Sequence, residues 1–296
     1  MREFWNEVRN KKSTLNKFYT IDGENNNKSI LNVFTNKFLS YNLVQQSEEN
    51  LVSKINEKIN SDNANKLNIF ISGPTMGKLI MRLNKGAGDD GIHSSLLKNA
   101  SDKFIDNLVV LFNLFYRHSY LPFDLLRGDI TPIIKNKRKS ACVSSNYSPI
   151  MISSSLLKLF EMHILEFLKD KIKINGLQFG YADGLSTTDA CLLLKEVINA
   201  NIGNKSNVFC KFIDLSSAFD TVDHFLLAGK LLDSGLPISL ITIICYYLRN
   251  QSARITWQQY KGQYKLIESG VRQGGILSPF LFNFYINEIL NDISLL

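Results

Sequence analysis

The residues best able to do chemistry fall in two runs in the last third of the chain. The first is F-I-D-L-S-S-A-F-D-T-V-D-H, Phe212 to His224. Just before its acid, Val208–Ile213 (V-F-C-K-F-I) is β-branched and aromatic, the composition of a buried strand. Asp214 is therefore expected where a strand ends, at the edge of a sheet. A carboxylate placed there can hold a divalent ion against a substrate phosphate, and two-metal phosphoryl transfer needs oxygen ligands of this kind. A plainer reading makes Asp214 a helix cap, with Ser217 and Asp220 forming a capping box. The second run is S-G-V-R-Q-G-G-I-L-S-P, Ser269 to Pro279. Its tandem glycines, Gly274 and Gly275, let backbone approach a substrate closely. Arg272 and Gln273 could meet a nucleotide or a template. An ordinary turn before a helix capped by Ser278 fits the same letters.

The elements that must position these runs are mixed. The first 80 residues are polar and Asn-rich, and read as helices on linkers; Ile30, Phe34 and Phe38 stand at helical spacing there. Gly86, Gly88 and Gly91 break K-G-A-G-D-D-G-I into a loop. Helices are expected over Phe104–His118, Leu156–Ile174, Thr187–Ala200, Asp220–Ser234, Ile238–Leu248 and Phe280–Leu290. Ser186 or Thr187 is the N-cap of the third, and Gly235-Leu236-Pro237 ends the fourth. Strands are expected over Ile130–Lys135, Val208–Ile213, Ala253–Trp257 and Tyr264–Ile267. The basic run Lys135–Lys139 (K-N-K-R-K) fits a turn or hairpin tip, and His163, on an apolar helix face, reads as a hydrogen-bonded core histidine. Such a mixture argues for an α+β architecture.

Composition bounds the partners. The 296 residues are 45% hydrophobic, enough for a sizeable core, and carry a net charge of +7 with a pI of about 9.1. A basic balance favours polyanions. Cys142, Cys191, Cys210 and Cys245 form no C-x-x-C pair; the last three sit in apolar stretches and read as reduced core thiols. That suits a protein of the cytoplasm or nucleus that is not secreted. The start, M-R-E-F-W-N-E-V-R-N-K-K, has no apolar signal core. The longest apolar stretch, Leu236–Leu248, is interrupted by Pro237, Ser239 and Thr242 and falls short of the ~18 residues of a membrane span.

Taken together, D-L-S-S-A-F-D-T-V-D-H and the later G-V-R-Q-G-G-I-L-S-P-F-L-F-N-F-Y-I-N resemble the paired palm motifs of non-LTR (LINE-type, jockey-like) retrotransposon reverse transcriptases. Upstream, Lys85–Ile92 is similar to that family's Gly-Pro-Asp-Gly-Ile motif. Ile130–Ile150 (I-T-P-I-I-K through N-Y-S-P-I) resembles its fingers motif, P-I-x-K followed by N-Y-R-P-I. Phe179–Ala190 (F-G-Y-A-D-G-L-S-T-T-D-A) is similar to F-G-F-R-x-G-x-S-T-x-D-A. Five motifs stand in the family's order from about Lys85 onward.

The resemblance implies a right-hand polymerase fold with fingers over residues 81–190 and a partial palm over 191–296, after a helical connector at 1–80, with the thumb absent. It implies an RNA-directed DNA polymerase using an RNA template, a DNA primer, deoxynucleoside triphosphates and Mg²⁺ or Mn²⁺, with no membrane partner. Asp214 would be the first metal ligand, with the Leu215 carbonyl also facing a metal. Phe219 would lie under the incoming sugar and exclude a 2′-hydroxyl. Gln273 and Gly274 would lie near the incoming nucleotide, and Lys135 near its triphosphate. Lys137, Arg138, Lys139 and Arg272 are expected to contact nucleic acid, and Asp220 and Asp223 to be structural. The family's arginine in N-Y-R-P-I is Ser148 here, that in F-G-F-R is Ala182, and the Pro of G-P-D-G is Asp89. No adjacent Asp pair follows Gly270, where the family has Ala-Asp-Asp. The alternative expectation is a catalytically dead remnant that at most binds nucleic acid.

Overall fold

A computed structural model describes residues 20–40, 69–84, 86, 88 and 90–293. The connector reading for most of residues 1–80 therefore lies outside the described residues. Within it, the spacing of Ile30 and Phe34 does form helix α1 (Asn27–Phe38), capped by the Asn26 side chain, with both residues buried. Next come α2 (Gly73–Arg82), α3 (Ser94–Lys98) and α4 (Asp102–His118). Strand β1 (Arg127–Ile134) and strand β2 (Tyr147–Ser153) make a hairpin. The remainder is α5 (Ser155–Lys171), α6 (Thr187–Gly203), α7 (His224–Asp233), α8 (Ile238–Arg249), β3 (Ser252–Trp257), β4 (Tyr260–Lys261), β5 (Lys265–Leu266), α9 (Ser278–Tyr285) and α10 (Asn287–Ile293). The class is mixed α+β, as composition and pattern indicate.

The sheet runs β2-β1-β3-β4, with β5 also on β3. Strand β1 is antiparallel to β2 and parallel to β3, with Arg127 opposite Ser252 and Ile130 opposite Ile255. Two apolar clusters cover it. The larger joins α2, α4, α5, α7 and α8 through Phe112, Phe160, Leu231, Ile244 and Tyr247. The smaller seats α1 on the sheet. Phe34 there meets Tyr147 edge-on at 5.1 Å and tilts against Trp257 at 5.2 Å. His163 is buried and shares a 2.6 Å hydrogen bond through Nδ1 with the Tyr116 hydroxyl, the satisfied core role expected of it. Ser186 caps α6 in a full capping box with Asp189.

One strand expectation fails. Val208–Ile213 is not a strand but an exposed, irregular segment, with Phe209 93% and Phe212 81% accessible. The physical reason is pairing. A strand is stable only when a neighbour takes its N–H and C=O groups. The sheet leaves this segment no place beside β3, whose one side is taken by β1 and whose other is taken by β4 and β5. The helix expected from Asp220 begins only at His224, capped by Asp223, and residues 216–221 form turns. Neither the Asp214 cap nor a Ser217–Asp220 capping box forms; Ser217 instead has a φ of 53°. Ser278 lies inside α9, which has no side-chain cap. Cys191 and Cys210 are exposed rather than core thiols, because α6 buries none of its residues and Cys210 lies in the unpaired segment. Cys245 is largely buried, and burial pushes its thiol up to about 11.

Candidate nucleotide site

The two chemical runs meet. The Ser269–Ile276 loop lies between residues 219–222 on one side and β2 on the other. The Gly270 N–H donates to Val222 O and the Val271 N–H to Phe219 O, both at 2.7 Å. The Met151 N–H of β2 donates to Gln273 O at 2.8 Å. Two glycines permit this passage. Gly270 has φ +86°, and a Cβ there would stand 2.8 Å from the Asp220 backbone. Gly274 has φ +115°, and its Cβ would stand 2.8 Å from Met151 O. Both conformations and both approaches exclude a larger residue. His224 Nε2 reaches Gly270 O at 2.7 Å, which ties the start of α7 to the same loop.

Beside the loop is a cavity of about 260 Å³. Its wall includes Phe38, Met151, Asp220, Gly270 and Gln273. Within it Gln273 Nε2 donates to Asp220 Oδ1 at 2.7 Å. Burial pushes the Asp220 carboxyl above its ordinary range, opposed by the Gln273 hydrogen bond and the Lys135 charge. Phe219 packs between Tyr181, edge-on at 5.9 Å, and Phe282 at 5.0 Å.

Lys135 begins the exposed tip of the β1–β2 hairpin, with Lys137, Arg138 and Lys139 exposed after it. Asn146 shapes that tip. Its Nδ2 donates to the carbonyls of Asn136 at 2.9 Å and Ser140 at 3.1 Å, while its Oδ1 accepts from the Asn136 N–H at 3.1 Å. The Tyr147 hydroxyl adds a bond to Ala141 O at 2.7 Å. Asn146, which stands in the N-Y-S-P-I motif, was not singled out from the sequence, and its role in the tip is structural.

Arg272 is a correction. It is 3% accessible and not at a nucleic-acid surface. Its Nε donates to Gln251 Oε1 at 2.7 Å and one terminal nitrogen to Ser153 Oγ at 3.1 Å, while the other bonds Leu126 O. The guanidinium lies 5.6 Å from the Tyr247 ring centre. The Tyr247 hydroxyl donates to Glu161 Oε1 at 2.6 Å, and Glu161 Oε2 accepts from the Ile276 N–H at 2.6 Å. A buried cation thus holds the middle of the loop and a buried acid its end. The physical reason is its neighbours, three acceptors and an aromatic face that a sequence does not display.

Asp214 and Leu215 are exposed, and neither lines the cavity. The cavity collects Asp220 and Gln273, with Lys135 acting on it through its charge. Among the described residues no group of three or more His, Cys, Asp or Glu could hold a metal ion. The family expectation is a divalent cation, and the described residues do not assemble a ligand set of three that fits one: Asp214 is exposed and outside the cavity, and burial raises the pKa of the Asp220 carboxyl inside it. Among them too, no helix is long and apolar enough to cross a membrane.

The fold is mixed α+β, a partial sheet with helices and a glycine loop bordering a cavity, and it is consistent with a reverse-transcriptase-like fingers and palm region. The family described as reverse transcriptase (RNA-dependent DNA polymerase) matches residues 134–295, and the chain belongs to it, as a domain of the non-LTR retrotransposon type. It is 27% identical over 217 residues to a probable RNA-directed DNA polymerase from transposon X-element of Drosophila melanogaster, covering 72% of this chain and 24% of that one. It is 28% identical over 213 residues to a Pol polyprotein from the type-1 retrotransposable element R2 of Nasonia vitripennis, covering 70% and 20%. The RNA-directed DNA polymerase from mobile element jockey of Drosophila melanogaster is 28% identical over 216 residues, covering 70% and 23%. The chain spans about a quarter or less of the length of these relatives.

Proposed function

We propose that the chain is the fingers (residues 81–190) and partial palm (191–296) portion of a polymerase that copies an RNA template into DNA from a DNA primer. The observation that carries this reading is the 2.7 Å bond between Gln273 and Asp220, which joins the two motifs across one cavity. In this reading Gln273 meets the incoming deoxynucleotide, and Gly274 lets the loop lie flush beside it. Phe219, braced by Tyr181 and Phe282, excludes a 2′-hydroxyl by its bulk. Lys135 takes the triphosphate, and Lys137, Arg138 and Lys139 take strand phosphates. Mg²⁺ or Mn²⁺ is the expected cofactor, and Asp214 with the Leu215 carbonyl is its candidate first ligand by resemblance. No step is assigned to the ion, since the described residues do not form its cage.

A second reading, a non-catalytic domain that binds nucleic acid, is favoured by the place of Asp214, exposed and outside the cavity that holds Asp220 and Gln273. Templated selection separates the two without requiring chemistry. With an oligo(rA)·oligo(dT) primer–template, the polymerase reading expects dTTP to bind in preference to dGTP, and Gln273→Ala to lose that preference. Primer–template binding with no nucleotide preference would overturn the first reading and leave the second.

A further inference from the structure

We infer that Lys37, on the last turn of α1, joins Lys135 in holding the phosphates of a nucleoside triphosphate beside the cavity, so that a helix preceding the fingers completes the nucleotide site. This rests on the nucleotide reading above.

The helix is fixed by apolar contacts. Ile30, Leu31 and Phe34 are buried against the sheet, which sets where the following turn falls. Phe38 and Leu39 then form part of the wall that also holds Asp220 and Gln273. The Lys37 ammonium lies 5.6 Å from the Phe38 ring centre and 3.4 Å from Ser144 Oγ. It therefore sits between a wall residue of the cavity and the base of the basic hairpin.

The hairpin is tied to the same N-terminal segment. The Asp22 N–H donates to Cys142 O at 2.8 Å, and the Ser144 N–H donates to Asp22 Oδ1 at 2.9 Å. Lys135 is held by its own N–H, which donates to Asn146 O at 2.7 Å. These bonds fix the segment that leads into α1 and the Lys135 backbone to one stretch, residues 142–146.

Electrostatics agrees with the geometry. The Lys37 ammonium is held below the ordinary lysine range, first by burial and then by the Lys135 charge, with Asp22 opposing. Lys135 also acts on Asp220 in the cavity. Among the described residues no carboxylate pairs directly with either lysine. Two ammonium groups kept within each other's field disfavour one another until an anion enters. A triphosphate has the charge to neutralise both and the length to reach beyond one group. Lysine suits it as a point charge, and charge-assisted contacts to phosphate are the strong ones.

The test uses the purified 296-residue chain and equilibrium dialysis with dTTP, inorganic tripolyphosphate and thymidine. Lys37→Ala should weaken dTTP and tripolyphosphate about tenfold, equivalent to about 1.4 kcal/mol, with thymidine unchanged. Lys37→Arg should bind within about twofold of the parent. Should Lys37→Ala fold poorly by circular dichroism, lysine acetylation mapped by mass spectrometry on the unaltered chain replaces it, and dTTP should protect Lys37. Full dTTP affinity in Lys37→Ala alongside losses in Lys135→Ala and Gln273→Ala would overturn the inference and leave the nucleotide reading standing. Absence of dTTP binding by the parent chain would overturn both. Protection of Lys37 by oligo(rA) but not by dTTP or tripolyphosphate would assign the pair to strand phosphates and overturn the inference.

Discussion

Replacing Arg272 by Ala separates two roles for this residue that predict opposite results. The guanidinium is buried and donates to Gln251 Oε1, Ser153 Oγ and Leu126 O. Alanine leaves three acceptors without that donor in a site closed to bulk water. Each orphaned buried group costs about 1–3 kcal/mol, and water entering the vacated space recovers part, so about 4 kcal/mol is the expected loss. That is a large share of the roughly 5–15 kcal/mol by which domains are stable. At about 2–4 °C per kcal/mol for a chain of this size class, the midpoint should fall by about 8–16 °C. Lysine reaches fewer of the acceptors and should fall between alanine and the parent. The assay is thermal unfolding by circular dichroism with urea titration beside it, and single-stranded RNA binding against salt on the folded variant. A buried clamp predicts a large loss of stability with an unchanged salt slope at temperatures where the variant is folded. A phosphate contact predicts unchanged stability and a slope shallower by about 0.7. A midpoint within about 2 °C of the parent with the shallower slope would refute the burial argument.

Three further outcomes follow from the same structure. Replacing Lys135, Lys137, Arg138 and Lys139 together by Ala should make the salt slope on single-stranded RNA shallower by up to about 2.8, and an unchanged slope would remove this tip from the binding surface. Burial holds His163 down at about 4 against an ordinary 6.5. The unfolded chain therefore takes up this proton first as pH falls, so stability present above about 6.5 is lost between about 6.5 and 4, by up to about 3 kcal/mol; His163→Gln should flatten that part of the urea-midpoint profile against pH, and an equally steep profile in the variant would count against it. In primer extension on oligo(rA)·oligo(dT) with Mg²⁺ or Mn²⁺, the 296-residue chain should add no nucleotide, since no group of three or more His, Cys, Asp or Glu is placed to hold a metal among its described residues and Ser148 stands where the family has an arginine; extension that vanishes in Asp214→Ala would show that a metal site does assemble.

Local pattern carried most of the elements. The helices around Phe112, His163 and Ile244, the hairpin with its basic tip and the β3 region all follow from periodicity, capping and turn chemistry near in sequence. The family, too, was legible from the order of its motifs, and the match over residues 134–295 supports it. What misled was the Val208–Ile213 run, where composition is right for a strand but pairing is not. Strand propensity describes how well side chains fit a pleated, half-buried surface, and it has no force when no neighbour supplies the ladder.

The sequence by itself therefore determined the mixed class and the family. These depend on residue type and on neighbours a few positions away. The tertiary structure decided which of the marked residues stand together. It set Asp220 beside Gln273, buried Arg272 under Tyr247, left Asp214 exposed and brought Lys37 to the hairpin that holds Lys135. Those placements depend on which surfaces α1, α5 and α8 cover, and contacts between residues a hundred positions apart leave no periodic trace along one chain. Burial then changes the chemistry of the same letter: an arginine that would bind phosphate in water serves as a clamp once three acceptors enclose it.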